Sequence, residues 1–240
     1  WAERLEAELL PTGSLRRAAG GDIRDLPGFK EGAWWVQDAA AALPAKLLRP
    51  APGQTIVDLC AAPGGKTAQL AAAGAEVHAV DISEKRMKQV AENMQRMQLS
   101  GHLTIADATD WMPPEPVDAV LLDAPCSGTG TIRRHPDIAR LKQPGDIDRM
   151  VHIQDRLLAH CADMLRPGGV LVYATCSLQP EEGADRIEKL LADSAPLTRE
   201  PVTAVEIPSI ESAITAAGDV RTLPSHWAAR GGIDGFFIAR

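Results

Sequence analysis

Thr55-Ile56-Val57-Asp58-Leu59-Cys60-Ala61-Ala62-Pro63-Gly64-Gly65-Lys66-Thr67 is the stretch that decides the fold of this chain. Thr55 to Leu59 is an apolar run short enough for a buried strand, and Pro63-Gly64-Gly65 is a tight turn. Thr67 to Ala73 then reads as a helix. Paired glycines let backbone approach a ligand closely, so the turn is a place to bind something. A phosphate-binding loop would need Gly-x-x-x-x-Gly-Lys-[Ser/Thr]. Gly65-Lys66-Thr67 supplies its end, but Cys60 stands where the first glycine belongs. The dinucleotide pattern Gly-x-Gly-x-x-Gly is absent too.

Downstream, strands and helices alternate, the pattern of a parallel sheet with crossover helices. Glu76 to Val80, Leu103 to Ala106, Val117 to Leu122 and Val170 to Ala174 read as strands. Between them, Ser83 can cap a helix whose apolar stripe is Met87, Val90, Met94 and Met97. Asp146 to Leu165 is a long helix stopped by Arg166-Pro167-Gly168-Gly169, and Pro180 opens another. The loop from Asp123 to Gly145 is too long for a passive connection. Weaker strands are expected near Val202 to Ile207 and Gly235 to Ala239. Upstream, Glu3 to Leu10 and Ala39 to Leu48 read as helices, and Pro11 to Lys30 as irregular. Pro50-Ala51-Pro52-Gly53 marks a boundary between an N-terminal extension, 1–50, and a catalytic domain, 51–240.

Carboxylates stand at or just beyond the ends of these strands. Asp81 follows the second strand, roughly 20 residues after Asp58, the separation at which an acid reaches ribose hydroxyls in nucleotide-binding α/β folds. Asp107 follows the third and is placed to accept from an adenine amino group. Asp123 follows the fourth. Together they outline an adenosine-shaped crevice.

Two cysteines lie just past strand ends, in Asp123-Ala124-Pro125-Cys126-Ser127-Gly128 and Ala174-Thr175-Cys176-Ser177. Thiols delivered to one edge of a sheet, one of them beside a carboxylate, point to covalent chemistry on a small electrophile. Cys161, in line with Leu157, Leu158 and Leu165, reads as a core residue.

The glycine turn, Asp-Ala-Pro-Cys and Thr-Cys-Ser together closely resemble the RNA cytosine-5 methyltransferases of the NOL1/NOP2/Sun family, in particular its bacterial branch acting on 16S ribosomal RNA. The resemblance runs from about Leu26 to the C-terminus. It implies a class I S-adenosylmethionine-dependent methyltransferase, Rossmann-like, with a mostly parallel seven-stranded sheet and helices on both faces. It implies S-adenosylmethionine held by Cys60, Ala61, Ala62, Pro63, Gly64, Gly65 and Lys66, with Asp81, Arg86, Asp107 and Asp123. It makes Cys176 the nucleophile at carbon 6 of cytosine, Asp123 the acid group polarising the ring at nitrogen 3, and Cys126 the aid to product release. DNA cytosine-5 methyltransferases use the Pro-Cys cysteine instead and lack the second thiol, so Cys176 favours RNA. Methylation of transfer RNA or DNA, or a silent RNA-binding scaffold, are the alternatives. Gly32 to Asp38, Thr131 to Asp137 and Asp234 to Phe237 also resemble family segments, with His135 expected to shape its loop.

Composition sets the bounds. The chain has 240 residues, 45% hydrophobic, a net charge of −7 and four cysteines. That suffices for one sizeable α/β domain without disulfides. No Cys-x-x-Cys pair occurs, and no metal is expected. No run of 18 apolar residues suggests a membrane span. Reduced thiols and the absence of a secretory pattern suit a cytoplasmic enzyme, expected as a monomer. The first residue is Trp1, which reads as part of a longer protein. A negative net charge is awkward for an RNA partner. The expectation is local clusters at Arg16, Arg17 and Lys30 and at Arg133, Arg134, Arg140 and Lys142, with further RNA contacts from an upstream part.

Overall fold

The computed structural model describes residues 1–18, 20–193 and 196–240. The chain opens with an antiparallel hairpin, β1 (Ala7–Leu9) against β2 (Leu15–Arg17). Gly13 makes the turn at φ +84°, a conformation that strains any residue with a Cβ. The expected helix over Glu3 to Leu10 is therefore not formed. Leu5 and Leu10 are buried but Leu9 is exposed, and this segment satisfies its backbone across the hairpin. The expected helix Ala39 to Leu48 shrinks to α1 (Leu43–Leu47). Pro44 has no N–H to continue a longer helix and sits in the first turn. Asp38 closes the turn before it by accepting from the Ala40 N–H at 2.8 Å.

After β3 (Thr55–Leu59) come α2 (Gly65–Ala72), β4 (Glu76–Asp81), α3 (Glu84–Arg96), β5 (His102–Ile105) and β6 (Val117–Asp123). A short α4 (Ile138–Leu141) interrupts the long loop, and α5 (Pro144–Met164) leads straight into β7 (Leu165–Thr175). α6 (Ala184–Ala192), β8 (Val220–Thr222) and β9 (Phe236–Ala239) complete the chain. The expected strand over Val202 to Ile207 is instead a 3-10 turn, Ala204–Glu206, closed by the Glu206 carboxylate, which accepts from the N–H and the hydroxyl of Thr203. Val205 is exposed, so its alternation marks no sheet face.

Seven strands form one sheet in the order β5-β4-β3-β6-β7-β9-β8. β3 to β7 are mutually parallel and β9 runs antiparallel between β7 and β8. The chain leaves β3 through β4 to β5, then returns to the other side of β3 as β6. That reversal opens a crevice beyond the carboxyl ends of β3 and β6.

Both faces of the sheet are covered, which explains why its strands are near-continuous apolar runs. Ile56, Leu121, Val172 and Ile238 face α1 and α2 through Leu43, Leu47 and Leu70. Val57, Leu122 and Tyr173 face α5 and α6 through Leu157, Leu158, Met164 and Ile187. Cys161 is fully buried among them. Ser83 caps α3 by accepting from the Arg86 N–H, and Met87, Val90, Met94 and Met97 pack on Ala68 of α2. Among the described residues no helix is long and apolar enough to cross a membrane.

Candidate active site

Two clusters meet at the crevice. The first is the loop after β3. Cys60 takes φ +59° and Gly64 φ +96°. A Cβ on Gly64 would come within 3.0 Å of Val90 in α3, so the tight passage requires glycine. Asp81, at the end of β4, shapes this loop. One of its oxygens accepts from the Ala62 N–H at 3.1 Å and the other from the Ser83 N–H at 2.9 Å. Arg86 donates to the Ala62 carbonyl and lies 3.7 Å from Asp81. Asp107 is exposed beyond β5; the Thr109 N–H and hydroxyl, donating to it, hold its carboxyl below the usual range.

Asp58 lies beneath the loop, fully buried. Its Oδ2 accepts from the Thr67 hydroxyl at 2.6 Å, while Oδ1 has no partner. Burial pushes its carboxyl up to about 7. The Cys60 thiol is pushed up to about 12 by burial and by the charges of Asp123, Asp81 and Asp58. A crevice lined by these acids repels phosphate and suits a cationic ligand. Lys66, which a phosphate loop would aim at its anion, is instead 2.7 Å from Asp123 and nearly buried. A sulfonium-bearing nucleoside therefore fits these residues, and a nucleotide triphosphate does not. Ile82, immediately after Asp81, is 69% exposed at the rim. Nothing in its sequence setting distinguishes it from a core residue, and only the fold shows it turned outward.

The second cluster is built by β6 and β7. Asp123 pairs with Ala174, so the chains beyond these strands emerge side by side. The two thiols meet with their sulfurs 3.5 Å apart. Gly130 N–H donates to the Cys176 carbonyl at 2.9 Å, and Gly235 N–H donates to the Gly130 carbonyl at 2.8 Å. Beneath both thiols sits Glu182, also fully buried, bonded to Ser127 and Ser177. Sequence reading passed over Glu182, although it stands six residues after Cys176 in the turn opened by Pro180.

The thiols are unequal. Cys126 is raised well above the ordinary thiol range, first by its hydrogen bond with Cys176 and then by burial. Cys176 is lowered, first by that hydrogen bond, with Lys66 helping against burial and Asp123. Cys176 is thus the better thiolate and Cys126 the S–H donor to it.

The cationic clusters differ from expectation. Arg133 reaches Asp38 at 3.0 Å and Asp234 at 3.1 Å, and Arg134 reaches Asp234 at 2.9 Å. Arg133 fastens the loop to the segment before α1, and both guanidinium groups fasten it to the start of β9. Arg16 donates to the Arg230 carbonyl and Arg17 to the Leu5 carbonyl. Lys30, Arg140 and Lys142 are exposed. His135 is exposed and 3.4 Å from Arg134, within the loop it was expected to shape.

A sheet that switches direction at a glycine turn, with acids lining the crevice, defines a class I S-adenosylmethionine-dependent methyltransferase domain. A family model described as 16S rRNA methyltransferase RsmB/F matches residues 45–240, and the chain belongs to that family. Over 252 aligned residues, covering 100% of this chain and 56% of the relative, it is 40% identical to Ribosomal RNA small subunit methyltransferase B of Xylella fastidiosa. The chain spans about half the length of the curated relatives it matches. Among solved structures, that of PH0851 superposes with a TM-score of 0.87 at 32% identity, covering 99% of this chain and 55% of that one. NSun6 from Pyrococcus horikoshii, solved with SFG, superposes with a TM-score of 0.76 at 27% identity, covering 91% of this chain and 55% of that one.

Proposed function

We propose that this domain methylates carbon 5 of cytosine in small-subunit ribosomal RNA through a covalent adduct on Cys176. The observation that carries the reading is the pair of thiols 3.5 Å apart beside Asp123 at the crevice. Cys60 to Lys66 with Asp81, Arg86 and Asp107 would hold S-adenosylmethionine, which would supply an electrophilic methyl group, and the exposed Ile82 offers an apolar surface beside them.

Carbon 5 of cytosine is too weak a nucleophile unaided. The Cys176 thiolate donates its electron pair to carbon 6, and the ring's electrons shift toward nitrogen 3. The Asp123 carboxyl, beside Lys66, gives a proton to nitrogen 3 as those electrons arrive and takes it back when the adduct resolves. Carbon 5 then carries enamine character, so one hard substitution becomes two easier steps. After methylation the proton on carbon 5 passes to water and its electron pair restores the ring double bond. The carbon 6–sulfur bond breaks, and the departing Cys176 thiolate is received by the S–H of Cys126. A thiol kept protonated suits that role; a lowered one suits attack.

The substrate is tested by supplying this domain with methyl donor and, in parallel, 16S ribosomal RNA, transfer RNA and duplex DNA. Bisulfite sequencing then reads each cytosine. Protection confined to the ribosomal RNA is expected. Protection only in transfer RNA or DNA, or methylation at an atom other than carbon 5, overturns the reading.

A further inference from the structure

Glu182 touches neither the crevice acids nor the loop that would hold the cofactor, yet it is fully buried. Each of its side-chain partners is a donor, the set that suits a carboxylate. Oε1 accepts from the Ser127 N–H at 2.8 Å and from Gln154 Nε2 at 3.3 Å. Oε2 accepts from the hydroxyls of Ser127 and Ser177. Ser127 follows Cys126 and Ser177 follows Cys176, so one carboxylate ties together the residues after both thiols. Gln154 of α5 extends the tie by donating to the Pro125 carbonyl, just before Cys126, at 2.8 Å. The Glu182 carbonyl accepts from the Tyr173 hydroxyl at 2.8 Å and from Thr175 at 3.2 Å, which pins the turn to β7.

We propose that Glu182 is a positioning residue: it holds Cys126 and Cys176 in hydrogen-bonded contact, and its negative charge keeps Cys126 the donor in that contact. The inference rests on the two-thiol reading above and adds a group that widens the inequality set by the hydrogen bond between the thiols and by burial. Asp123 from β6, Lys66 from α2, Arg134 from the loop before α4 and Glu182 from the turn after β7 are the charged groups facing the pair. Lys66 acts to lower Cys176, while Glu182 acts to raise Cys126. Removing the Glu182 charge therefore relieves Cys126 and narrows the difference between the thiols.

The test is alkylation of the resting protein with iodoacetamide at pH 7, followed by peptide mass spectrometry. Without RNA or cofactor, it reports on the thiols even if the domain methylates some other atom. Wild type should be labelled chiefly at Cys176. Glu182→Gln nearly preserves the shape and removes the charge. It should lower the Cys176:Cys126 labelling ratio several-fold, because the Cys126 thiol loses a charge that disfavours its thiolate. Ser177→Ala keeps the charge but slackens the tie, and should lower the ratio less, in the same direction. It also serves if the glutamine variant does not fold. Thermal melting and S-adenosylmethionine affinity identify folded variants. An unchanged ratio in a folded variant of either kind shows that Glu182 only supports the structure.

Discussion

Asp58 is legible in the sequence as a strand-end acid, but its place is beneath the turn, and one of its oxygens is buried without a partner. Burial pushes its carboxyl up to about 7, from an ordinary value of 3.8. The sign of the consequence follows from linkage. A group whose folded value is raised contributes stability below its unfolded value and loses it as pH rises through the folded one. Stability should therefore fall between about pH 4 and pH 7, by up to about 4 kcal/mol at ~1.4 kcal/mol per unit. His78 and His226, lowered by burial, oppose this trend as the pH falls, so wild type alone shows a blunted profile. Asp58→Asn should flatten the Asp58 contribution in urea unfolding series at several pH values. The same pH dependence in both proteins would remove Asp58 as its source.

Between β6 and α5 the working element is a loop, and its glycines are not equivalent. A Cβ on Gly130 would sit 2.0 Å from the Gly235 carbonyl oxygen and 2.9 Å from that of Cys176, both backbone atoms. Gly130→Ala must therefore part the loop from the segment entering β9 and from the Cys176 peptide. A loss of about 1–3 kcal/mol is expected, with a larger sulfur–sulfur separation. Gly145 meets nothing within 4 Å and lies in the first turn of α5. Gly145→Ala should be neutral or stabilising by up to about 1 kcal/mol. Differential scanning calorimetry of the two variants checks both; equal effects would mean that the loop does not depend on this close approach. The main elements were readable where one physical signal dominates. Thr55 to Leu59 and the methionine stripe of α3 are such cases. Errors fell where local patterns compete. Leu5 and Leu10 are buried from a hairpin that mimics helical spacing, and Pro44 truncates a helix that alanines would have extended. Val202 to Ile207 lost its strand to the Thr203–Glu206 cap. In the site, strand ends announced Asp81, Asp123, Cys126 and Cys176. Glu182 could not be found that way, because its contacts depend on which chains emerge side by side.

At the scale of the whole molecule, fold order explains why the chemistry sits at one edge. The reversal at β3 places the glycine turn against β6, and β7 joins β6 on its far side. Lys66 then links the two clusters, since its ammonium reaches Asp123 from the first turn of α2. The net charge of −7 is compatible with this acidic crevice but offers RNA little general attraction. Arg133 and Arg134 hold the fold together, leaving Arg140 and Lys142 as exposed cations of the same loop. On the proposed reading, recognition of RNA by this domain rests on the base at the crevice more than on the phosphate backbone.

That base-centred chemistry is tested most directly by denaturing electrophoresis of labelled ribosomal RNA incubated with methyl donor and three forms of the protein. Cys176→Ala should give neither methylation nor adduct, because the atom that attacks carbon 6 is gone. Cys126→Ala should accumulate an RNA–protein band that survives denaturation, because the leaving thiolate has lost its donor. Peptide mapping should place the bond on Cys176. Wild type should show turnover with little band, unless 5-fluorocytosine replaces the target and no proton can leave carbon 5. An adduct in Cys176→Ala that is absent from Cys126→Ala would contradict the account, making Cys126 the nucleophile.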